Sequence, residues 1–147
     1  MVKAIYFDMD GTIADLYAVE NWLPMLQASN PYPYQAALPM VDTIELSIKL
    51  NKLQDNGWHL GIASWLSKAG TPAYNKQVIS AKRGWLKANL PTVKWDEYQF
   101  MEYGTPKYTR VQYAEGLLFD DEARNREAWT GKAYDAGDIL KILEGLV

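Results

Sequence analysis

The chain predicts an α/β fold: a Rossmann-like parallel sheet with helices on both faces and a small helical or loop cap insertion after the first strand. Three observations carry this. Short apolar runs rich in β-branched and aromatic residues recur as strand candidates, segments of helical periodicity separate them, and the links are short. Parallel strands joined through helices bury both faces of a sheet. The 147 residues fit one domain, 1–147, able to bury roughly two thirds of its unfolded surface.

Residues 2–12, Val2-Lys3-Ala4-Ile5-Tyr6-Phe7-Asp8-Met9-Asp10-Gly11-Thr12, begin as a buried strand and end in two carboxylates and a glycine. In extended chain, residues i and i+2 point to the same side, so Asp8 and Asp10 enter one small volume. At ~4 Å and an effective dielectric of about 20 their repulsion is on the order of 4 kcal/mol, which favours a cation between them. Alternatively, Asp-Gly is an ordinary turn dipeptide and the pair a solvated strand end. A second acidic pair, Asp120-Asp121, follows the apolar run Leu117-Leu118-Phe119, and two such strand ends point to one shared metal site.

Between these ends, residues 16–29 have helical spacing interrupted by Pro24, with Asp15 as N-cap. Pro31, Pro33 and Pro39 predict a stiff, extended loop around 30–34. Residues 41–56 form a helix whose apolar face takes Val41, Ile44, Ile48 and Leu53, widened by Leu46 and Leu50. A strand over 58–63 ends at Ser64. The crossover needs only 41–56, so residues from about 13 to 40 are surplus, a minimal cap over the strand ends or a helix and loop packed on the sheet edge. A helix over 73–90 presents Tyr74, Val78, Ala81, Trp85 and Leu86. A strand at 98–101 precedes Thr105-Pro106, an N-cap and first helical residue that place Lys107 in a first turn. A strand at 116–119, a helix at 122–129 stopped by Gly131, a weak strand at 132–134 and a helix at 138–146 complete the chain.

Composition removes several chemistries. With no cysteine there is no disulfide, thiol nucleophile or thiolate metal site, and the single histidine, His59, excludes a multi-histidine zinc centre. His59 itself reads as structural. Oxygen ligands remain, which suit Mg2+ or a similar hard cation. The net charge of −3 predicts no general affinity for polyanions. No apolar stretch reaches the ~18 residues of a membrane span, and no signal peptide is evident at the N-terminus, so no membrane association and a cytoplasmic location are expected.

Asp8-Met9-Asp10-Gly11-Thr12, Ser64 at a strand end, Lys107, and Asp120-Asp121 after another strand resemble the four-part signature of the haloacid dehalogenase-like (HAD) phosphatases, in order and in setting. The chain from Pro39 to Asp121 looks most like the 5′(3′)-deoxyribonucleotidase branch, although Thr12 stands where that branch usually carries an apolar residue. The resemblance implies a magnesium-dependent phosphomonoester hydrolase. Asp8 would be the nucleophile that forms an aspartyl-phosphate, and Asp10 the general acid and base. Lys107 would balance charge between Asp8 and the phosphate. Magnesium would be held by the Asp8 carboxylate, the Asp10 backbone carbonyl, Asp120 and Asp121. Ser64 and backbone amides near Gly11 and Trp65 would donate to phosphate oxygens.

Two features bear on the substrate, expected to be a small phosphorylated molecule of nucleotide type. Tyr17, Trp22, Tyr32 and Tyr34 of the insertion, with Trp65, are candidate rings for stacking on a nucleobase, or core residues. Lys68, Lys76, Lys82, Arg83, Lys87 and Lys94 give six positive charges between 56 and 95, where no acid occurs. They form either a solvated helix face or a surface for a nucleic-acid end. The helix over 73–91 loosely resembles the 3′-phosphatase half of phage polynucleotide kinases, so a polynucleotide 3′-phosphatase is the alternative enzyme. A non-catalytic magnesium-binding interaction module is the alternative from another class.

Overall fold

Alternation along the first strand divides the core in two. The computed structural model describes residues 2–147. In β1 (Ala4–Phe7), Ile5 and Phe7 face one layer, with Leu46, Leu50, Leu53, Trp85, Leu86, Ile139 and Leu143, while Ala4 and Tyr6 face another, with Ala63, Met101, Leu118 and Trp129. Such two-sided burial is what a central parallel strand requires.

The sheet is completed by β4 (His59–Trp65), β5 (Glu97–Met101), β6 (Leu117–Phe119) and β7 (Ala133–Tyr134), in the order β5-β4-β1-β6-β7, every pairing parallel. The chain leaves β1 to build one half and returns across it to build the other. The carboxyl ends of β1, β4 and β6 therefore adjoin a topological switch point, where open α/β sheets bind ligands.

One face is covered by α3 (Thr43–Asp55), α4 (Pro72–Asn89) and α6 (Ile139–Glu144). Asp42 caps α3, accepting from Ile44 N at 3.0 Å and Glu45 N at 3.1 Å. The other face carries α5 (Ala123–Ala128), Trp129 and the segment around Val111 and Tyr113. The buried face of α3 is Leu46, Leu50 and Leu53, whereas Ile44 is 75% and Ile48 53% exposed. The expected stripe was rotated too far toward Ile44 and Ile48, because the spacing admits both faces and only packing against α6 and the sheet separates them.

The insertion differs most from expectation. A two-stranded antiparallel ladder of β2 (Ala14–Asp15) and β3 (Leu38–Pro39) closes its base. Between them lie a 3-10 turn at Leu16–Ala18, α1 (Trp22–Gln27) and α2 (Tyr32–Ala36). Pro24 falls on the third residue of α1 and Pro33 on the second of α2, positions whose N–H has no partner within the helix. The prolines thus start helices where an interruption and an extended loop were expected. Asp15 makes no cap; it belongs to the ladder. Trp85 Nε1 donates to Ala37 O at 2.7 Å and Tyr74 Oη to Asn30 O at 3.0 Å, fastening the insertion to α4.

At the far end of the sheet, buried Glu97 accepts from Tyr6 Oη at 2.7 Å, Gln99 Nε2 at 2.8 Å and Gln112 N at 3.0 Å, and pairs with His59 Nε2 at 2.8 Å. Burial alone would raise the Glu97 pKa; the hydrogen bonds outweigh it and hold the carboxyl below its ordinary range. His59 is thus a partner in a structural network. Among the described residues no helix is long and apolar enough to cross a membrane.

The two faces of α3 give a direct check. Leu50→Ala is expected to cost about 2–5 kcal/mol in urea unfolding, and Ile44→Ala less than about 0.5 kcal/mol. Equal losses would return the stripe to its expected orientation.

Candidate active site

The turn after β1 is wound tightly enough to aim both of its acids the same way. Met9, fully buried, turns into the core, and its carbonyl accepts from Thr12 N, Ile13 N and Ala14 N at 2.9–3.1 Å. Asp8 and Asp10, on either side of Met9, both line one cavity of about 510 Å³. Gly11 has φ +80°, and a Cβ there would run into the carboxylate of Asp121. Its amide donates to Ala14 O at 2.9 Å. Gly11 is therefore required for the close approach of Asp121, and its N–H is committed within the turn instead of being offered to a phosphate.

The second acidic pair arrives from β6. Asp120 is fully buried, its Oδ1 accepting from Glu122 N at 2.9 Å and its Oδ2 from Asn125 Nδ2 at 3.1 Å. Oxygens of Asp8, Asp120 and Asp121 lie within 4.8 Å of one another. Thr12 Oγ1 lies 3.0 Å from Asp8 Oδ2 and 3.2 Å from Asp121 Oδ1, and accepts from Asp121 N at 3.1 Å. Its single proton serves one carboxylate at a time.

Two buried lysines enter this acidic ring. Lys107, on the 3-10 turn Lys107–Thr109, donates from Nζ to Asp8 Oδ1 at 2.9 Å and to Asp120 Oδ2 at 2.7 Å. Trp65 Nε1 donates to Thr105 O at 2.8 Å, anchoring the segment that delivers it. Pro106, not Thr105, takes the N-cap position, and no side chain caps the turn. The second lysine is Lys82, fully buried on α4. Its Nζ donates to Ser64 Oγ at 2.7 Å and Trp65 O at 2.6 Å and pairs with Asp10 Oδ2 at 3.0 Å. The expected solvated face of α4 therefore loses Lys82, and Arg83 packs over the Tyr98 ring at 4.5 Å.

Fully ionised, the four carboxyls would exceed the two ammonium groups by two negative charges. Burial, then repulsion from Asp8, pushes Asp120 up to about 6 and Asp121 up to about 7. Asp10 also holds its proton more tightly, raised first by burial and also by Asp8, against the opposing pull of Lys82. Lys107 is raised: burial opposes its charge, and Asp8 and Asp120 prevail. An oxygen-only cluster with an excess of acids over ammonium groups fits a hard divalent cation in sign of charge and in ligand type.

The cavity walls come from both the insertion and the loops after β4 and β5. Leu16, Tyr17, Trp22, Leu23, Leu26 and Tyr34 form one wall; Trp65, Leu66, Lys68 and Tyr103 belong to the other. Tyr17 and Trp22 meet edge to face at 5.0 Å. Of the five expected rings Tyr32 is the exception. It is 53% exposed and lines a separate depression with Ala18, Val19 and Met25, because α2 puts Tyr32 and Tyr34 on different sides where an extended chain would not. Ser64 is fully buried and accepts from Lys82. Sequence reasoning missed Lys82 and Asn125. Lys82 had a signal, since it interrupts the apolar stripe Tyr74, Val78, Trp85; Asn125 had none.

No family model matches the chain, and no curated protein matches its sequence. Solved structures do match in shape. D,D-heptose 1,7-bisphosphate phosphatase from B. bronchiseptica, complexed with magnesium and phosphate, superposes with a TM-score of 0.63 at 11% identity, covering 99% of this chain and 100% of that one. A protein assigned as a HAD-like phosphatase, from Mesorhizobium loti, gives 0.60 at 14% identity over 99% and 87%. The D,D-heptose 1,7-bisphosphate phosphatase of Burkholderia thailandensis gives 0.51 at 13% over 86% and 70%. The chain thus has the fold of HAD-like phosphatases.

Raised acids make a metal-free site sensitive to pH. An unfolded aspartate titrates near 4, so between about pH 4 and 7 the folded chain holds protons that the unfolded chain has released, and stability falls as pH rises. Glu97 is depressed, so its contribution is already complete above pH 5. In EDTA the Tm is expected to be lower at pH 8 than at pH 5, and magnesium should raise it more at pH 8. Thermal unfolding followed by circular dichroism checks both; a Tm in EDTA that climbs toward pH 8 contradicts the assignment.

Proposed function

We propose that this chain is a magnesium-dependent phosphomonoester hydrolase working through an aspartyl-phosphate on Asp8. The observation that carries the reading is the contrast between two acids on one cavity floor. Asp8 is held by Lys107 and Thr12, whereas Asp10, two residues on, favours its proton and pairs only through Oδ2 with Lys82. Neighbouring carboxyls with different environments divide the roles of nucleophile and acid.

In the first step an oxygen of Asp8 attacks phosphorus while the bond to the leaving oxygen breaks, and Asp10 gives that oxygen its proton. In the second, Asp10 takes a proton from water as the water attacks the acyl phosphate. Inorganic phosphate leaves and both acids return to their starting states. Magnesium, when bound by Asp8, Asp120, Asp121 and the Asp10 backbone carbonyl, supplies charge neutralisation at the phosphoryl oxygens. Lys107 spends two N–H donors on Asp8 and Asp120, which leaves one of its three for a phosphate oxygen. Ser64 Oγ, accepting from Lys82, keeps its own proton to donate, and the Trp65 backbone amide is the second donor in this reading.

The leaving-group side favours an aromatic group of nucleotide size. Tyr17, Trp22, Tyr34 and Trp65 line it beside leucines, and rings of this kind stack on bases. Two of the three named neighbours are D,D-heptose 1,7-bisphosphate phosphatases and none is named for a nucleotide, so the nucleotide reading rests on this lining alone. A polynucleotide end has less support, since Lys82 faces the acids and the insertion walls the cavity.

With magnesium and p-nitrophenyl phosphate, Asp8→Asn should lower kcat/KM by at least about 10³-fold; unchanged turnover defeats the enzyme reading. Across deoxynucleoside monophosphates, hexose phosphates and a 3′-phosphorylated oligonucleotide, the monophosphates should be preferred. Trp22→Ala should raise their KM about tenfold, the worth of one stacking contact. Preference for the sugar phosphates would remove the nucleotide assignment and leave the hydrolase one standing.

A further inference from the structure

A buried lysine that touches the proton donor but keeps no donor for a ligand calls for an explanation of its own. Lys82 stands on the apolar stripe of α4 between Val78 and Trp85, a place where leucine would pack without a charge to desolvate. Taking an ammonium out of water costs several kcal/mol unless its hydrogen bonds are fully met. Here they are: an ammonium has three N–H groups, and Ser64 Oγ, Trp65 O and Asp10 Oδ2 receive one each. The Tyr34 ring of the insertion lies 5.1 Å from the same nitrogen. Lys107, by contrast, keeps one donor uncommitted.

We infer that Lys82 is the positioning residue for Asp10: by holding Oδ2 from a fixed point on β4, it turns Oδ1 toward the leaving-group oxygen. This rests on the phosphatase reading above. In the step concerned, the bond from phosphorus to the leaving oxygen breaks, the proton on Asp10 Oδ1 passes to that oxygen, and the resulting carboxylate keeps its Oδ2 contact with the ammonium. Lys82 is not part of the cavity lining, and its three N–H groups are all spent within the protein. Its anchorage to Ser64 and Trp65 ties the proton donor on the β1 turn to the adjacent strand end, so the two walls of the site hold one geometry.

A positioning role for the donor has a signature that a general structural role lacks. Leaving groups that depart as stable anions need no proton, and those that depart as alkoxides do; general acid catalysis is worth about 10²–10⁴-fold for the latter. Wild type and Lys82→Met are to be compared, with magnesium, on p-nitrophenyl phosphate and on a simple alkyl phosphate. The expected result is a loss in kcat/KM at least about 10-fold greater on the alkyl ester than on the aryl ester, the excess carried by kcat. Lys82→Met leaves Asp10 without a partner and can cost folding, so Asp10→Asn with Lys82→Met, a neutral pair, is compared with Asp10→Asn alone. The added substitution should there leave the ratio of alkyl to aryl activity unchanged within about 3-fold, the non-additivity of a shared function.

Equal losses on the two esters with a raised KM, which would make Lys82 a phosphate ligand, or a further large change of that ratio in the Asp10→Asn background, would overturn the inference while the hydrolase reading stands. A wild type inactive on both esters removes the reading and the inference together.

Discussion

Repulsion among four carboxylates at the end of a parallel sheet is the constraint on which the rest of the structure depends. Asp8, Asp10, Asp120 and Asp121 come from two strand ends that the sheet order makes neighbours. Left to themselves they would drive those ends apart. Lys107 spans the two strands by bonding Asp8 and Asp120 together, and Lys82 binds the β1 turn to β4 through Asp10 and Ser64. The site is therefore also a clasp. Its ammonium groups are half as many as the acids that the fold gathers, and the excess of acids favours a divalent ion.

Those two lysines sit at unlike places in the chain, and this explains their different visibility. Lys107 precedes the Asp120-Asp121 strand by a short interval, where the family resemblance expects a lysine, although the neighbouring Thr105-Pro106 was misread, since Pro106 takes the N-cap position. Lys82 lies inside an 18-residue helix among other cations, and its destination depends on how that helix rolls against the sheet. Composition placed it with Arg83 and Lys87 on a solvated face; packing turned it inward. Charge counts along a helix cannot distinguish these outcomes, whereas a lysine on an apolar stripe can be noticed.

The same division between local and tertiary information runs through the fold. Strands were legible because their apolar runs are short and end at acids or turns, and the alternation of strands with helices implied the parallel sheet. The α3 face was misjudged because Ile44 and Leu46 are both apolar and only burial separates them. In the insertion, prolines were read as breakers, yet Pro24 and Pro33 occupy first turns where a missing N–H costs nothing. That one reversal also moved Tyr32 away from Tyr34 and out of the cavity.

The fastening of the insertion has a consequence for what can reach the acids. Its base is a paired ladder, its far side is tied through Ala37 to Trp85 and through Asn30 to Tyr74, and Tyr34 rests on the ammonium beneath it. These contacts hold the insertion at its base, its far side and its underside. Whatever approaches the acids therefore meets a walled cavity of about 510 Å³, bounded by the insertion on one side and by the ends of β4 and β5 on the other.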